Sequence, residues 1–288
     1  MIAVLKRELN SYFKGIIGYL FAAFLLVFAG IYTMAFNLSG QYAYFEYALD
    51  SISFIYLIGV PILTMRAVAE EKRQKTDQLL YSLPISVTSV VVGKYFAMLA
   101  VLLVPTLVMA CYPLVLTLFG NPYLPTAYSS LFAFFMLGAT LLSIGLFISS
   151  VTESQIASAV ICLVTMLILY FMSDLAGFVS ADATASLIAL GILAVICAVI
   201  FYLFTKNWVV SFLIGGLGLG GLLVWFNVDA AAFSGLFPNV MKSLSAFDRF
   251  YGFINGVFDL TAIVYFLSVI AVFLFFSVQV LEKRRWSE

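Results

Sequence analysis

The residue types that most often carry chemistry are scarce in this sequence, and where they occur their spacing argues against catalysis. There is no histidine, which removes the side chain that titrates nearest neutral pH and the commonest metal ligand. Cys111, Cys162 and Cys197 each sit inside a long apolar run with no metal-ligand spacing, so they read as small packing hydrophobes. Gly216-Leu217-Gly218-Leu219-Gly220-Gly221 fits the G-x-G-x-x-G dinucleotide fingerprint, but it lies inside an apolar stretch rather than between a strand and a helix. Gly216 and Gly220 are instead expected to let two helices pack closely. Gly93-Lys94 has the ending of a phosphate-binding loop, yet Tyr95 stands where Ser or Thr is required and Thr88 where the first glycine belongs. No acid or base lies near the centre of any apolar run, which weakens an ion-coupled carrier and leaves intramembrane proteolysis without a catalytic set. Nothing in the pattern would hold a cofactor or a metal.

One stretch carries dense polar patterning. It reads Arg66-Ala-Val-Ala-Glu70-Glu71-Lys72-Arg73-Gln74-Lys75-Thr76-Asp77-Gln78-Leu79-Leu80-Tyr81-Ser82-Leu83-Pro84-Ile85-Ser86. A charged helix is expected first, with Glu71 and Lys75 paired at i,i+4. Thr76 then caps a short second helix with Asp77 in its first turn, and Pro84 ends it. Leu79, Leu80 and Leu83 form a compact apolar patch. That patch suits a helix docking into a groove on a partner protein, or a loop resting its leucines on a membrane.

The elements that position these residues follow from composition. Of 288 residues, 64% are hydrophobic and 10% charged, with mean hydropathy +1.14. A soluble domain is roughly half apolar and a quarter charged, so a soluble enzyme, a disulfide scaffold and a disordered chain are excluded. An all-α, multi-pass membrane helix bundle is what such a chain can form. Eight spans are expected: 16–36, 51–65, 95–119 (kinked at Pro105 and Pro113), 127–150, 155–173, 185–204, 207–226 and 260–281. Residues 1–14 read as an amphipathic interfacial helix, with Ile2, Leu5, Leu9 and Tyr12 or Phe13 on one face and Lys6, Arg7, Glu8 and Lys14 on the other. The stretch 227–259 is long, semi-apolar and rich in phenylalanine, and is expected to hold one or two helices on the outer leaflet, with a re-entrant hairpin as the alternative.

Charge fixes the sidedness. With the N-terminus cytoplasmic, twelve of the fourteen Lys and Arg residues fall inside and only Lys242 and Arg249 outside, while the fourteen acids divide evenly. The zero net charge is thus about +5 inside against −5 outside, and an even number of spans keeps both termini on the positive, cytoplasmic side. Neutrality overall makes nucleic acid an unlikely class of partner.

The run Glu70 to Leu80 followed by Leu83-Pro84-Ile85-Ser86 resembles the segment after the second span of ABC-2-type transporter permeases. Within them it is most similar to the branch holding gliding-motility-associated and nitrous-oxide-reductase-maturation permeases. Lys6-Arg7-Glu8-Leu9-x-x-Tyr12-Phe13, the run from Gly145 through Ser149-Ser150-x-Thr152-Glu153-x-Gln155, Phe247-Asp248-Arg249-Phe250, Gly256-Val-Phe-Asp259-Leu and Leu281-Glu282-Lys283-Arg284-Arg285-Trp286 carry the same resemblance in the same order.

The resemblance implies a six-span core, to which 185–226 would be an added pair, in the cytoplasmic membrane of a bacterium. It implies a pairing with a second permease copy or a related one, a separate cytosolic ABC ATPase subunit that hydrolyses ATP, and outward transport, with room for an auxiliary membrane or extracytoplasmic subunit. The chain itself would catalyse nothing. Glu70, Glu71, Arg73, Thr76, Asp77, Leu79, Leu80 and Pro84 would form the coupling helix that meets the ATPase, with Glu153 a second, smaller contact. A scaffold that moves no substrate and an ion-coupled secondary carrier are the alternatives.

Overall fold

The computed structural model describes residues 1–76, 86–205 and 208–287. Among these there is no β-strand, as a chain with too few polar side chains to satisfy an open sheet in lipid requires. The helices are α1 (Ile2–Lys14), α2 (Ile16–Tyr32, prolonged as a π-helix over Thr33–Ser39), α3 (Phe45–Ser53), α4 (Tyr56–Thr64), α5 (Ala69–Arg73), α6 (Val87–Met109), α7 (Tyr112–Leu116), α8 (Leu124–Val151), α9 (Gln155–Tyr170), α10 (Met172–Phe178), α11 (Ala183–Thr205), α12 (Trp208–Val228), α13 (Leu236–Leu244), α14 (Ala246–Ile254) and α15 (Leu260–Ser287). The chain is a multi-pass membrane protein. Five stretches are individually long and apolar enough to cross a bilayer, and seven if Phe45–Ser53 with Tyr56–Arg73, and Gln155–Tyr170 with Met172–Phe178, are each one bent span. The eighth expected span falls on α11, whose described apolar stretch is Ala183–Ile196.

Two compact units are present. The first comprises Met1–Tyr170 and Arg249–Glu288. Its centre is α8, with 78% of its apolar window buried, packed against α15, α6, α4, α3 and α9. This 28-residue helix has no charged residue, and Pro125 stands in its first turn, where a missing N–H costs nothing. Small residues let α4 approach it closely. A Cβ on Gly138 would lie 2.7 Å from the Tyr56 hydroxyl, and one on Gly145 would lie 2.6 Å from Thr64 Oγ1. The Tyr56 ring stacks on Phe134 at 4.6 Å and its hydroxyl donates to the Phe134 carbonyl, so the ring is buried with its polar tip satisfied. Asp259 caps the last span, its carboxylate accepting from Thr261 N–H at 2.8 Å. Hydrogen bonds from the Thr261 side chain and backbone hold that carboxyl below its usual range.

Two expected spans are rebuilt by the structure. The second begins earlier than residue 51: α3 and α4 meet at a 56° bend, so Glu46 and Asp50 belong to a packed helix rather than to an outer loop. The third begins at Val87, capped by Ser86 Oγ, which places Lys94 two turns inside a helix. It runs unbroken past Pro105 and gives way at Ala110–Cys111 to α7, where Pro113 occupies the first turn.

The second unit, Phe171–Asp248, holds the expected added pair. Here α11 and α12 pack together, and the close approach is made by Gly215, whose Cβ would lie 3.0 Å from Ala198, and by Gly218 against Ala194. Among the described residues a Cβ on Gly216 or Gly220 would meet nothing within 4 Å, so the close approach of α11 and α12 seen there runs through Gly215 and Gly218. Beyond α12, a short 3-10 turn (Ala231–Phe233) leads into α13.

Candidate functional site

The charged end of the first unit is a network, not a solvated loop. It starts with α1. Glu8 shares a stripe with Val4 and Tyr12, one helical turn to either side, and all three are buried against α6, with Gly93 leaving room for Val4. Of the expected apolar face, Tyr12 is buried, Leu5, Leu9 and Phe13 are half-buried and only Ile2 is largely exposed. The expectation that Glu8 faces water is thus corrected: i,i+4 spacing carries it under the helix, where a cation waits.

That cation is Lys94, whose side chain is 3% exposed. Its ammonium donates to the Ala67 carbonyl at 2.7 Å and to Glu8 Oε1 at 3.2 Å, and it pairs with Glu71 Oε1 at 2.9 Å. Arg7 closes the cluster, its Nη2 donating to Glu8 Oε1 and to Glu71 Oε1 at 2.6 Å each. Two carboxylates and two cations therefore join α1, α5 and α6 with matched charge, the condition under which burying charge is tolerated. Burial works against the Arg7 charge, but the hydrogen bonds and negative charge of Glu8 and Glu71 outweigh it and raise its pKa above the ordinary value. Burial, with Glu8 nearby, likewise raises the Tyr12 phenol, which donates to the Leu63 carbonyl at 3.3 Å.

A second set of bonds ties α5 to the end of α8. Ser149 Oγ accepts from the N–H groups of both Val68 and Ala69 at 3.1 Å, so the start of α5 is capped by a side chain from another helix. Lys72 is buried, and its ammonium donates to the Ser150 carbonyl. Arg66 grips Glu70 through two hydrogen bonds, at 2.5 and 2.7 Å. Glu70 also meets the side chain of Gln155 at the start of α9.

The helix then stops. Lys75 takes a left-handed φ of 55°, and Thr76 N–H reaches back to the Glu71 carbonyl while Lys75 N–H reaches that of Lys72, the pairing of a Schellman terminus. Thr76 thereby closes α5, its hydroxyl donating to the Glu71 carbonyl at 3.3 Å; the short helix it was expected to open lies outside the described residues. The expected Glu71–Lys75 pair gives way to Glu71 turning inward toward Arg7 and Lys94.

Of the residues singled out from sequence, Glu70 and Glu71 are structural members of this network, while Arg73 and Thr76 are exposed on its outer side. Asp77, Leu79, Leu80 and Pro84 lie outside the described residues. Glu153, in the turn between α8 and α9, is 73% exposed and pairs with Arg284 of α15 at 2.8 Å; the bond from Lys72 to the Ser150 carbonyl puts α5 beside the same end of α8. Glu8, Lys72, Lys94 and Ser149 were not foreseen. Lys94 had a readable signal, a lone cation within an apolar helical run. Ser149 had none, because a cap supplied from another helix leaves no local spacing. Among the described residues no three His, Cys, Asp or Glu side chains converge on a metal-sized point. Contacts thus tie α5 to α1, α6, α8 and α9, so displacing α5 would strain contacts with all four.

Residues 21–190, more than half of the chain, match the protein family described as ABC-2 family transporter protein. No curated protein matches the chain.

Proposed function

Because the chain belongs to the ABC-2 family of transporter proteins, we propose that it is the permease subunit of an ATP-driven exporter, worked from its charged end by a separate cytosolic ATPase. The observation that carries this reading is the attachment of α5. A short charged helix is held to α1 and α6 by the Arg7–Glu8–Lys94–Glu71 network, to α8 by Ser149 and Ser150, and to α9 by Glu70. A push on the segment that follows it has four helices on which to act, which is what rigid-body rocking of a bundle requires.

In this reading Arg73, Thr76 and the 77–85 segment face the ATPase, Glu70 and Glu71 anchor the segment to the membrane helices, and Glu153 with Arg284 supplies the smaller contact. Both termini are cytoplasmic, since the charged end carries the surplus of Lys and Arg. The work is conformational, and ATP hydrolysis belongs to the partner. A second permease copy completes the translocation path, and the resemblance of the 70–86 run to the gliding-motility and nitrous-oxide-maturation branch supports a bacterial cytoplasmic membrane.

The test is co-purification. Leu79→Asp combined with Leu80→Asp is expected to leave membrane insertion intact and to abolish capture of the ATPase encoded with the chain. Retention of that ATPase by the inserted double variant would remove the assignment of 70–86 as the coupling segment.

A further inference from the structure

The opposite end of the α3–α4 span holds charge of a different kind. On α3 the residues Phe45, Ala48, Leu49 and Ile52 are fully buried, packed among α2, α8 and the π-turn. Asn37 of that turn donates to the carbonyls of Tyr42 and Tyr44, which fixes the approach to α3. On the same helix Glu46 is only 5% exposed, and among the described residues no cation pairs with it and no other side chain bonds to it. Asp50, one turn further on, has a buried carboxylate oxygen with no hydrogen-bond partner. Among the described residues of the first unit, the other buried charged side chains, Glu8, Lys72 and Lys94, each meet a partner. Glu46 stands in the first turn of α3, where the helix dipole favours negative charge, and Asp50 is partly exposed, yet neither has a cation among the described residues to offset what desolvation costs its charge.

Glu46 opens into a cavity of about 280 Å³ bordered by Tyr44, Tyr47, Tyr123, Thr126 and Asn255. Tyr44 and Tyr47 meet edge to face at 6.0 Å. Tyr47 also borders the neighbouring cavity of about 370 Å³ on which Asp50 lies, with Phe36 and Tyr42. A carboxylate at the base and several aromatic rings at the rim is the arrangement that binds an organic cation, the acid supplying charge and the ring faces cation–π attraction. A divalent metal fits poorly, since Mg²⁺ or Ca²⁺ needs six or more oxygen ligands and this cavity offers a single carboxylate. A tyrosine belt at a membrane surface would explain the rings but not the buried acid beneath them.

We propose that Glu46, with the rings of Tyr44, Tyr47 and Tyr123, forms a binding site for an alkylammonium group, and that Asp50 adds a second negative charge one turn away. The ammonium is that of a lipid headgroup or of a soluble cation. The assignment rests on α3 alone and not on the coupling reading of the charged end, so either can fail without the other.

The full-length protein is placed in nanodiscs of phosphatidylglycerol, which carries no amine, and titrated with choline chloride by calorimetry against sodium chloride of equal ionic strength. Saturable choline binding is expected, and Glu46→Gln weakens it at least about tenfold, or 1.4 kcal/mol; Asp50→Asn weakens it less. Tyr47→Ala and Tyr123→Ala, at rings about half or more exposed, weaken it several-fold without touching the core, and they carry the test if Glu46→Gln does not fold. Adding phosphatidylethanolamine to the discs separates the sources: a raised apparent Kd for choline identifies a lipid headgroup, and an unchanged one a soluble cation. No saturable choline binding overturns the proposal, as does equal binding by wild type and a folded Glu46→Gln.

Discussion

Replacing Lys94 by Met keeps the length and apolar stem of the side chain and deletes only the ammonium, so it isolates the charge that joins α1, α5 and α6. Three contacts go with it: the Ala67 carbonyl at 2.7 Å, Glu71 at 2.9 Å and Glu8 at 3.2 Å. Lys94 is 3% exposed, Glu8 11% and Glu71 20%, so solvent screens these contacts little. Removing one partner of a buried pair costs about 3–5 kcal/mol. Arg7 still touches both carboxylates at 2.6 Å, which puts the expected loss at the lower end, about 3 kcal/mol. At 1.4 kcal/mol per decade this is about a hundredfold, to be read as faster amide exchange along α1 and looser attachment of that helix. Glu8→Gln should cost less, about 1–2 kcal/mol, because Lys94 keeps Glu71 and Ala67. The decisive measurement is the double-mutant cycle: with Lys94 already replaced, Glu8→Gln should be neutral or stabilising, since it removes a carboxylate that has lost a cation. A Lys94→Met cost below about 1 kcal/mol, or an identical Glu8→Gln cost in both backgrounds, would refute the argument that the network holds α1 in place.

Three further outcomes can be measured on the purified protein. Ser149→Ala uncaps two N–H groups at the start of α5 and should cost about 1–2 kcal/mol, seen as raised exchange at Val68 and Ala69; unchanged exchange there would mean that water replaces the hydroxyl. Gly145→Ala drives a Cβ to within 2.6–2.9 Å of three Thr64 atoms, including the stiff Cβ, so overpacking of about 1–3 kcal/mol is expected, whereas Gly216→Ala, with open space around it, should change the melting temperature little. Arg284→Gln breaks a pair whose acid is largely exposed, and thermal denaturation should shift by less than the equivalent of about 1 kcal/mol.

The sequence was most legible where one residue type dominates a long run. Of the eight expected spans, five fall on single helices long and apolar enough to cross a bilayer and two more on bent helix pairs, because some twenty consecutive apolar residues have few alternatives there. Legibility failed where polar residues sit at helix ends. Glu46 and Asp50 look like loop acids in a linear reading, and only the packing of α3 against α8 shows that they are covered. Glu8 was placed among its charged neighbours Lys6, Arg7 and Lys14, and only helical phase shows that it shares a stripe with Val4 and Tyr12. Lys94 was counted as a flanking cation because the helix was started at the first long apolar run, Tyr95, rather than at the Ser86 cap. Gly216 and Gly220 have the i,i+4 spacing of close helix packing, whereas the described approach of α11 to α12 is made by Gly215 and Gly218, three residues apart. Each of these turns on which side of a helix faces a partner, and hydropathy along the chain does not carry that.

The two ends of the α3–α4 span set compensated charge against uncompensated charge, and the physical consequences differ. At the charged end the buried cations among the described residues are matched, Lys94 by Glu8 and Glu71 and Lys72 by a carbonyl, and the exposed Arg66 pairs with Glu70. Matched charges hold one geometry and lose energy on separation, so they suit a joint that must pass on a push without deforming. At the other end Glu46 and Asp50 have no such match among the described residues, and a cation there would lower their energy. The same span thus has a stiff end and a ligand-responsive end, separated by a 56° bend at Phe54–Ile55. A cation at Glu46 would stabilise whichever arrangement of α3 keeps both acids near it, and any differential between two arrangements is felt at α5 through the span that joins them. Choline binding measured in wild type and in Lys94→Met separates the possibilities: equal affinity means that the ends are independent, and a shift in Kd gives their coupling free energy directly.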